Sequence, residues 1–254
     1  MWTVIALSLA SSLTINLVMF VIAYYRQSDK LTDISYALSF LTIAIVSFSY
    51  ATKYDHFSWI IFILPTVWAV RIGSFLLMRV LKVGKDRRFD NIRTSFVRFG
   101  KFWLGQAVTA WVLMLPVTLV LHRGGKVSSS LILGVLIWLV GLLIEAIADK
   151  QKFEFKFDEK NEGKWIQDGL WKYARHPNYF GEILVWCGIY VACFASLSII
   201  ERFIGLASPA LITSVLLFVS GVPLLEKSAD QRWGGHKDYQ DYKRRSRLIV
   251  PLPK

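Results

Sequence analysis

Cysteine is scarce in this chain, and so are acidic residues and nucleotide-binding glycine motifs. The two cysteines, Cys187 and Cys193, lie six apart in one apolar run, a spacing that does not share a helix face. That pattern fits neither a disulfide framework nor a metal site, and both read as lipid- or core-facing residues. No G-x-G-x-x-G follows a predicted strand and no G-x-x-x-x-G-K-[ST] occurs, so neither a Rossmann domain nor a P-loop is expected. Any nucleotide must then be held by helix ends and loops. The start has no basic n-region and no small-residue cleavage site, so Met1–Tyr25 reads as a retained first span. There is no internal repeat. Asp and Glu number 18 against 30 Lys and Arg, a net charge of +12. The bases gather between apolar runs rather than on one face, which argues for membrane topology and not for nucleic acid.

What the chain has in quantity is apolar surface: 54% of its 254 residues are hydrophobic, ten are Trp, and only 19% are charged. That composition describes a polytopic membrane protein. Runs near the roughly 20 residues needed to cross a bilayer occur at 2–25, 34–51, 57–81, 102–121, 130–148, 179–200 and 204–225. The expectation is one all-α integral membrane domain of seven helices. Three connections are strongly basic: Lys82 to Lys101 (with Lys85, Arg87, Arg88, Arg93 and Arg98), Lys150 to Arg175, and Lys227 to Lys254. The alternate loops hold only Lys53, then Arg123 and Lys126, then Arg202. By the positive-inside rule the basic segments are cytoplasmic and form one cap, with the N-terminus outside and the C-terminus inside. Anionic-lipid attraction explains many of these charges by itself. Oligomeric state is not legible.

Ionisable residues within spans are costly and tend to face a cavity or a partner. Arg71 stands mid-span, and Glu145 and Asp149 share a face near the cytoplasmic end of the fifth span. Asp33 is a candidate N-cap for the second. The densest chemistry lies in Gly169-Leu-Trp-Lys-Tyr-Ala-Arg-His-Pro-Asn-Tyr-Phe-Gly-Glu182. Pro177 suits a first helical turn, which leaves Arg175 and His176 just outside a helix and puts Asn178, Tyr179 and Glu182 on its first turns. Asn178 and Glu182, four apart, share a face. A helix N-terminus beside an Arg is a natural anion seat. The alternative is a headgroup-level collar of Tyr, Trp and Arg. In the tail, Trp233, Tyr239 and Tyr242 are interspersed with bases, as in a surface amphipathic helix.

The stretch 169–182 resembles the signature of the steroid 5α-reductase superfamily, especially its bacterial branch. The resemblance extends to Glu145-Ala-x-Ala-Asp149-x-Gln151-Lys152, to Ser220-Gly-Val-Pro-Leu-Leu-Glu226, and to Tyr239-x-x-Tyr242 with Pro251. Asp33-Ile-Ser-Tyr36 and Arg71…Arg79…Asp86-Arg87-Arg88-Phe89 also look like that branch. The resemblance implies a seven-helix membrane reductase in which NADPH lies in a cytoplasmic pocket. Its hydride would go to the β-carbon of an enone such as a 3-oxo-Δ4 steroid or a sterol-like lipid. Carried over, Asn178 and Glu182 touch the nicotinamide and its ribose, and Glu145 and Asp149 take further cofactor contacts. Arg175, His176, Tyr179, Tyr239 and Tyr242 surround them, with Arg79, Lys152 and Lys156 as phosphate candidates. The animal enzymes hold the ketone with a Tyr on span three, and Trp68 stands at the matching place here, so Trp68 and Arg71 are expected in the substrate cavity. Asp33 and Tyr36 replace that Tyr as candidate stabilisers of the enolate. A bacterial inner membrane is the expected location. The chain also resembles isoprenylcysteine carboxyl methyltransferases in its Arg-His-Pro-x-Tyr-x-Gly core, which implies S-adenosylmethionine instead. A non-catalytic lipid-binding protein is the third alternative.

Overall fold

The computed structural model describes residues 1–83, 89, 90 and 92–253. Lys85, Asp86, Arg87, Arg88 and Lys254, counted above in the basic segments and motifs, lie outside them. The architecture is that of an all-α integral membrane protein: α1 Trp2–Tyr25, α2 Thr32–Ser49, α3 His56–Val83, α4 Phe96–Arg123, α5 Ser129–Phe157, α6 Pro177–Phe194, α7 Ile199–Ser214, α8 Val222–Trp233 and α9 Lys237–Arg245. Six stretches among the described residues are long and apolar enough to cross a membrane: α1, α2, His56–Lys82, α4, α5 and Ile199–Trp233. The run 179–200, expected as the sixth span, is not among them: the helix there, α6, ends at Phe194, and its 18 residues begin with Pro177 and Asn178 and include Glu182.

Several boundaries differ from the apolar windows, each for a local reason. α5 continues past residue 148 to Phe157, because an apolar window marks a bilayer and not the end of a hydrogen-bonded helix. Asp158 ends it by turning to cap a 3-10 turn, its carboxylate accepting from Lys160 N at 3.0 Å. The last apolar run is interrupted by a π-helical turn at Val215–Val219 before α8 begins. α7 begins at Ile199, ahead of the expected 204. Ser198 N donates to the Glu201 carboxylate at 2.8 Å and Glu201 N to Ser198 Oγ at 3.4 Å, the reciprocal pair of a capping box. Asp33 is not the cap of α2: the helix starts at Thr32, whose N–H and hydroxyl both donate to Asp29 O, and Asp33 sits in the first turn.

The chain divides into two compact units, Met1–Val135 with Ile189–Ser208, and Leu136–Gly188 with Pro209–Lys254. In the first, α1 packs on α2 and α4, and α2 on α3 and α4. Its interior is unusually polar. Ser8, Ser12 and Asn16 line one face of α1 at four-residue spacing, and Ser35 and Ser39 line α2; all are buried. Leu17, Val18 and Val21 on the outer side of α1 are exposed. This arrangement belongs to a lipid solvent, where close packing and interhelical hydrogen bonds hold helices together. Asn16 Nδ2 donates to Ser39 Oγ at 2.8 Å; Gln106 Nε2 on α4 reaches Asn16 Oδ1 at 3.0 Å, Ser35 Oγ at 2.8 Å and Thr32 O at 3.1 Å. Gln106→Leu is expected to lower stability in detergent by about 1–2 kcal/mol, read as a drop in the thermal midpoint. An unchanged midpoint would mean the network contributes nothing net. Arg93, counted above among the loop bases, is buried instead, paired with Asp29 at 3.0 Å and with Asp90.

Candidate functional site

The second unit gathers most of the residues singled out in the sequence. Glu145, Asp149, Lys152 and Lys156 recur every three or four residues along α5 and so share one face. Along that face the character changes: Glu145 and Asp149 are buried, whereas Lys152 and Lys156 are exposed. Lys152 Nζ lies 4.5 Å from the centre of the Trp171 ring, and the Trp171 indole N–H donates to Ala148 O at 3.0 Å. Both contacts tie the 3-10 turn Gly169–Lys172 to α5. That turn needs a glycine at its first position. Gly169 has φ +58°, and an added Cβ would stand 2.3 Å from Gln151 Nε2. The Gln151 side-chain amide oxygen, Oε1, accepts from Leu170 N at 3.0 Å.

The α6 N-terminus stands where the sequence predicts, with Pro177 as its first residue. Asn178 Nδ2 donates to Asp149 Oδ1 at 3.2 Å, which joins the two motifs. The helices approach there at backbone contact. A Cβ on Gly181 would lie 2.5 Å from Glu145 N, and one on Gly141 would lie 2.7 Å from Gly181 O. Gly141 and Gly181 therefore set the α5–α6 separation, and with it the spacing of Glu145 and Asp149 from Asn178 and Glu182.

Arg175, His176 and Glu226 form a second cluster. Arg175 Nε donates to both Glu226 oxygens at 3.0 and 3.1 Å, and its Nη1 donates to the carbonyls of Lys243 and Ser246 at 3.2 and 3.3 Å. His176 Nε2 lies 2.9 Å from Glu226 Oε1, and Lys243 Nζ lies 3.4 Å from Glu226 Oε2. Backbone bonds complete the tie: Arg247 N donates to Tyr173 O, Arg175 N to Arg247 O, and His176 N to Leu248 O. Tyr242 and Tyr239 are buried in the same layer, and the Tyr242 hydroxyl donates to Trp171 O at 2.7 Å. Burial pushes the Tyr239 phenol up to about 12 and Tyr242 up also, so both are neutral at physiological pH. Much of the hydrogen-bonding capacity of Arg175, Tyr242 and Glu226 is thus spent anchoring the chain after α9. Sequence reasoning met Glu226 only as the end of the Ser220–Glu226 resemblance; its hub role required the tail to fold back.

Burial holds the His176 imidazole below its usual 6.5, opposed by its bond to Glu226, with Lys152 and Arg175 lowering it further. The unfolded chain therefore binds a proton that the folded one resists. Stability from this group is complete above about pH 6.5 and falls as pH drops toward the depressed value. His176→Gln should flatten the dependence of the thermal midpoint on pH between about 5 and 7. A wild-type midpoint that holds constant across that range would contradict this.

In the first unit, Asp33 and Tyr36 on α2 meet α3. Arg79 Nη2 donates to Asp33 Oδ2 at 2.9 Å. Tyr36 packs edge-on against Phe40 at 4.8 Å, and Phe40 against Trp68 at 5.0 Å. Trp68 is fully buried, and Arg71 lies 5.7 Å from the Phe75 ring. Close packing at Gly73, where a Cβ would stand 2.7 Å from Ala37 Cβ, sets this helix pair. Two clefts of about 320 and 560 Å³ in the second unit share Phe155, Asn161 and Asp168. None of the expected site residues lines either one.

These features define an all-helical integral membrane protein whose polar chemistry collects at helix ends. The chain belongs to the DUF1295 family, described as a protein of unknown function, whose model matches residues 19–246. It is similar to 3-oxo-5-alpha-steroid 4-dehydrogenase 1 of Rattus norvegicus at 23% identity over 119 residues, 47% of this chain and 40% of the relative. The Mus musculus and Bos taurus proteins of the same name match at 25% and 26% identity, over 47% of this chain and 41% and 40% of their own lengths. These matches set the chain in the steroid 5α-reductase superfamily, an oxidoreductase-like group. It spans about two fifths of the length of those relatives. No solved structure matches it.

Proposed function

We propose that this protein is an NADPH-dependent membrane reductase that adds hydride to the C=C bond of an α,β-unsaturated ketone. The substrate class is a 3-oxo-Δ4 steroid or a related sterol-like lipid, reduced at the 5α position. The observation that carries the reading is the Asn178–Asp149 bond, held beside buried Glu145 by glycine-to-glycine packing of α5 on α6. The donor set fits the cofactor. Buried carboxylates accept from ribose hydroxyls and from an amide, and the exposed ammonium groups of Lys152 and Lys156, further along the same face, suit phosphates.

The reduced nicotinamide, when bound, supplies the hydride. The chain's own residues then orient and insulate. Asn178, Glu182, Glu145 and Asp149 hold the nicotinamide half, with Tyr179, Tyr239 and Tyr242 in the surrounding layer. Stabilising the developing enolate oxygen requires a donor. That role is assigned to Tyr36 and to the Asp33–Arg79 pair, which sets guanidinium N–H groups beside the α2 carboxylate. Trp68 and Arg71 are the substrate-facing positions of α3. The α5–α6 polar end faces the cytoplasm in this reading, in a bacterial inner membrane among membrane lipids. The test is binding of NADPH, NADH and S-adenosylmethionine to detergent-purified protein, followed by reduction of progesterone- and testosterone-like enones. NADPH binding lost in Asn178→Ala and Glu182→Ala supports the reading. Binding of S-adenosylmethionine alone would move the chain to methyl transfer.

A further inference from the structure

His176 has one ring nitrogen whose chemistry is dictated by its neighbours. The residue is 5% exposed, and Nε2 lies 2.9 Å from Glu226 Oε1. Glu226 receives Arg175 Nε on both oxygens and Lys243 Nζ at 3.4 Å. A carboxylate gripped by two cations is ionised and can only accept, so Nε2 must donate and carries the ring proton. A second proton, on Nδ1, would make the ring a cation. Burial opposes that, Glu226 favours it, and Lys152 and Arg175 oppose it again, so the ring is neutral. Nδ1 then presents a bare lone pair. It is enclosed and has no hydrogen-bond partner among the described residues.

We infer that His176 Nδ1 is a built-in acceptor for a neutral N–H or O–H donor of the bound ligand; on the reductase reading proposed above, on which this rests, that donor is the carboxamide NH2 of the nicotinamide. A lone pair repels an anion, so this position selects against phosphate, contrary to the sequence expectation of an anion seat at Arg175–His176. The N–H of Asn178, at the head of α6 after Pro177, which has none, complements the carbonyl oxygen of the same carboxamide. Tyr179 lies face to face with the imidazole, ring centres 5.6 Å apart and planes 13° from parallel. Asn178, held by Asp149, fixes the helix turn that carries both.

The test compares NADPH with its reduced 3-acetylpyridine analogue, which keeps the carbonyl and lacks the NH2. Wild-type protein should bind NADPH about tenfold more tightly than the analogue, the worth of one buried hydrogen bond. His176→Gln keeps a donor toward Glu226 but loses the Nδ1 acceptor, so the preference should vanish. His176→Asn places an amide oxygen near the Nδ1 position, so part of the preference should return. Independently of any variant, the ring 15N spectrum of wild-type protein without cofactor should show the proton on Nε2 and a bare Nδ1. A proton on Nδ1, or an equal preference in wild type and His176→Gln, overturns the inference and leaves the reductase reading intact. Absence of NADPH binding in wild type overturns both.

Discussion

Glu226→Ala is expected to destabilise the protein by about 3–5 kcal/mol, the usual loss when one partner of a buried ion pair is removed. Arg175, His176 and Lys243 all address this carboxylate, and its side chain and that of Arg175 are only 18% and 15% exposed. Without it, Arg175 keeps two backbone carbonyls but no counter-charge. The loss should appear as a lower thermal midpoint in detergent and as protease cleavage after α9, because Arg175 is a main tie between that segment and the loop before α6. Glu226→Gln should fall between, since an amide oxygen still accepts from His176 while the charge is gone. The double variant Arg175→Met with Glu226→Leu should recover much of the loss, because an apolar pair leaves no buried charge. A midpoint unchanged in Glu226→Ala would show that the cluster is solvated and energetically idle.

Gly181→Ala is expected to abolish most cofactor binding, by about 100-fold, which is the cost of misplacing contacts by around an ångström. The added methyl meets backbone, Glu145 N at 2.5 Å and Gly141 O at 2.7 Å, so no rotamer change relieves it. The helices must separate, and Asn178 moves off Asp149. The accompanying loss of stability should be about 1–3 kcal/mol, smaller in proportion than the loss of affinity. Titration of NADPH against Gly181→Ala and, as a control, Gly105→Ala separates these effects. A Cβ on Gly105 meets nothing within 4 Å. Equal affinity in Gly181→Ala and Gly105→Ala would sink the claim that the glycine contact positions the site.

Much of this was legible in the chain itself. The fold class followed from composition and run length, because a bilayer demands roughly 20 apolar residues per crossing and leaves little choice of architecture. The start of α6 followed from Pro177, whose missing N–H suits only a first turn. The resemblance put Asn178 and the Glu145–Asp149 motif around one cofactor, but their direct bond came only with the fold, since nothing local links residues 29 apart.

Other features lay beyond any local reading. The capping box at Ser198 and Glu201 was written in the sequence as S-x-x-E, yet its serine fell inside the run 179–200 that read as membrane. Arg93 counts as a loop base by position and becomes a buried partner of Asp29 only once α1, α2 and α4 have packed. The same holds for Glu226, whose three cationic or ring partners come from segments 17 to 51 residues distant. The sequence by itself determined the elements, because periodicity, proline and apolar length act over one or two helical turns. The tertiary structure alone decided which polar groups became satisfied, because that depends on backbone approach. Two glycines on α5 and α6 admit it, and no residue's own propensity records it.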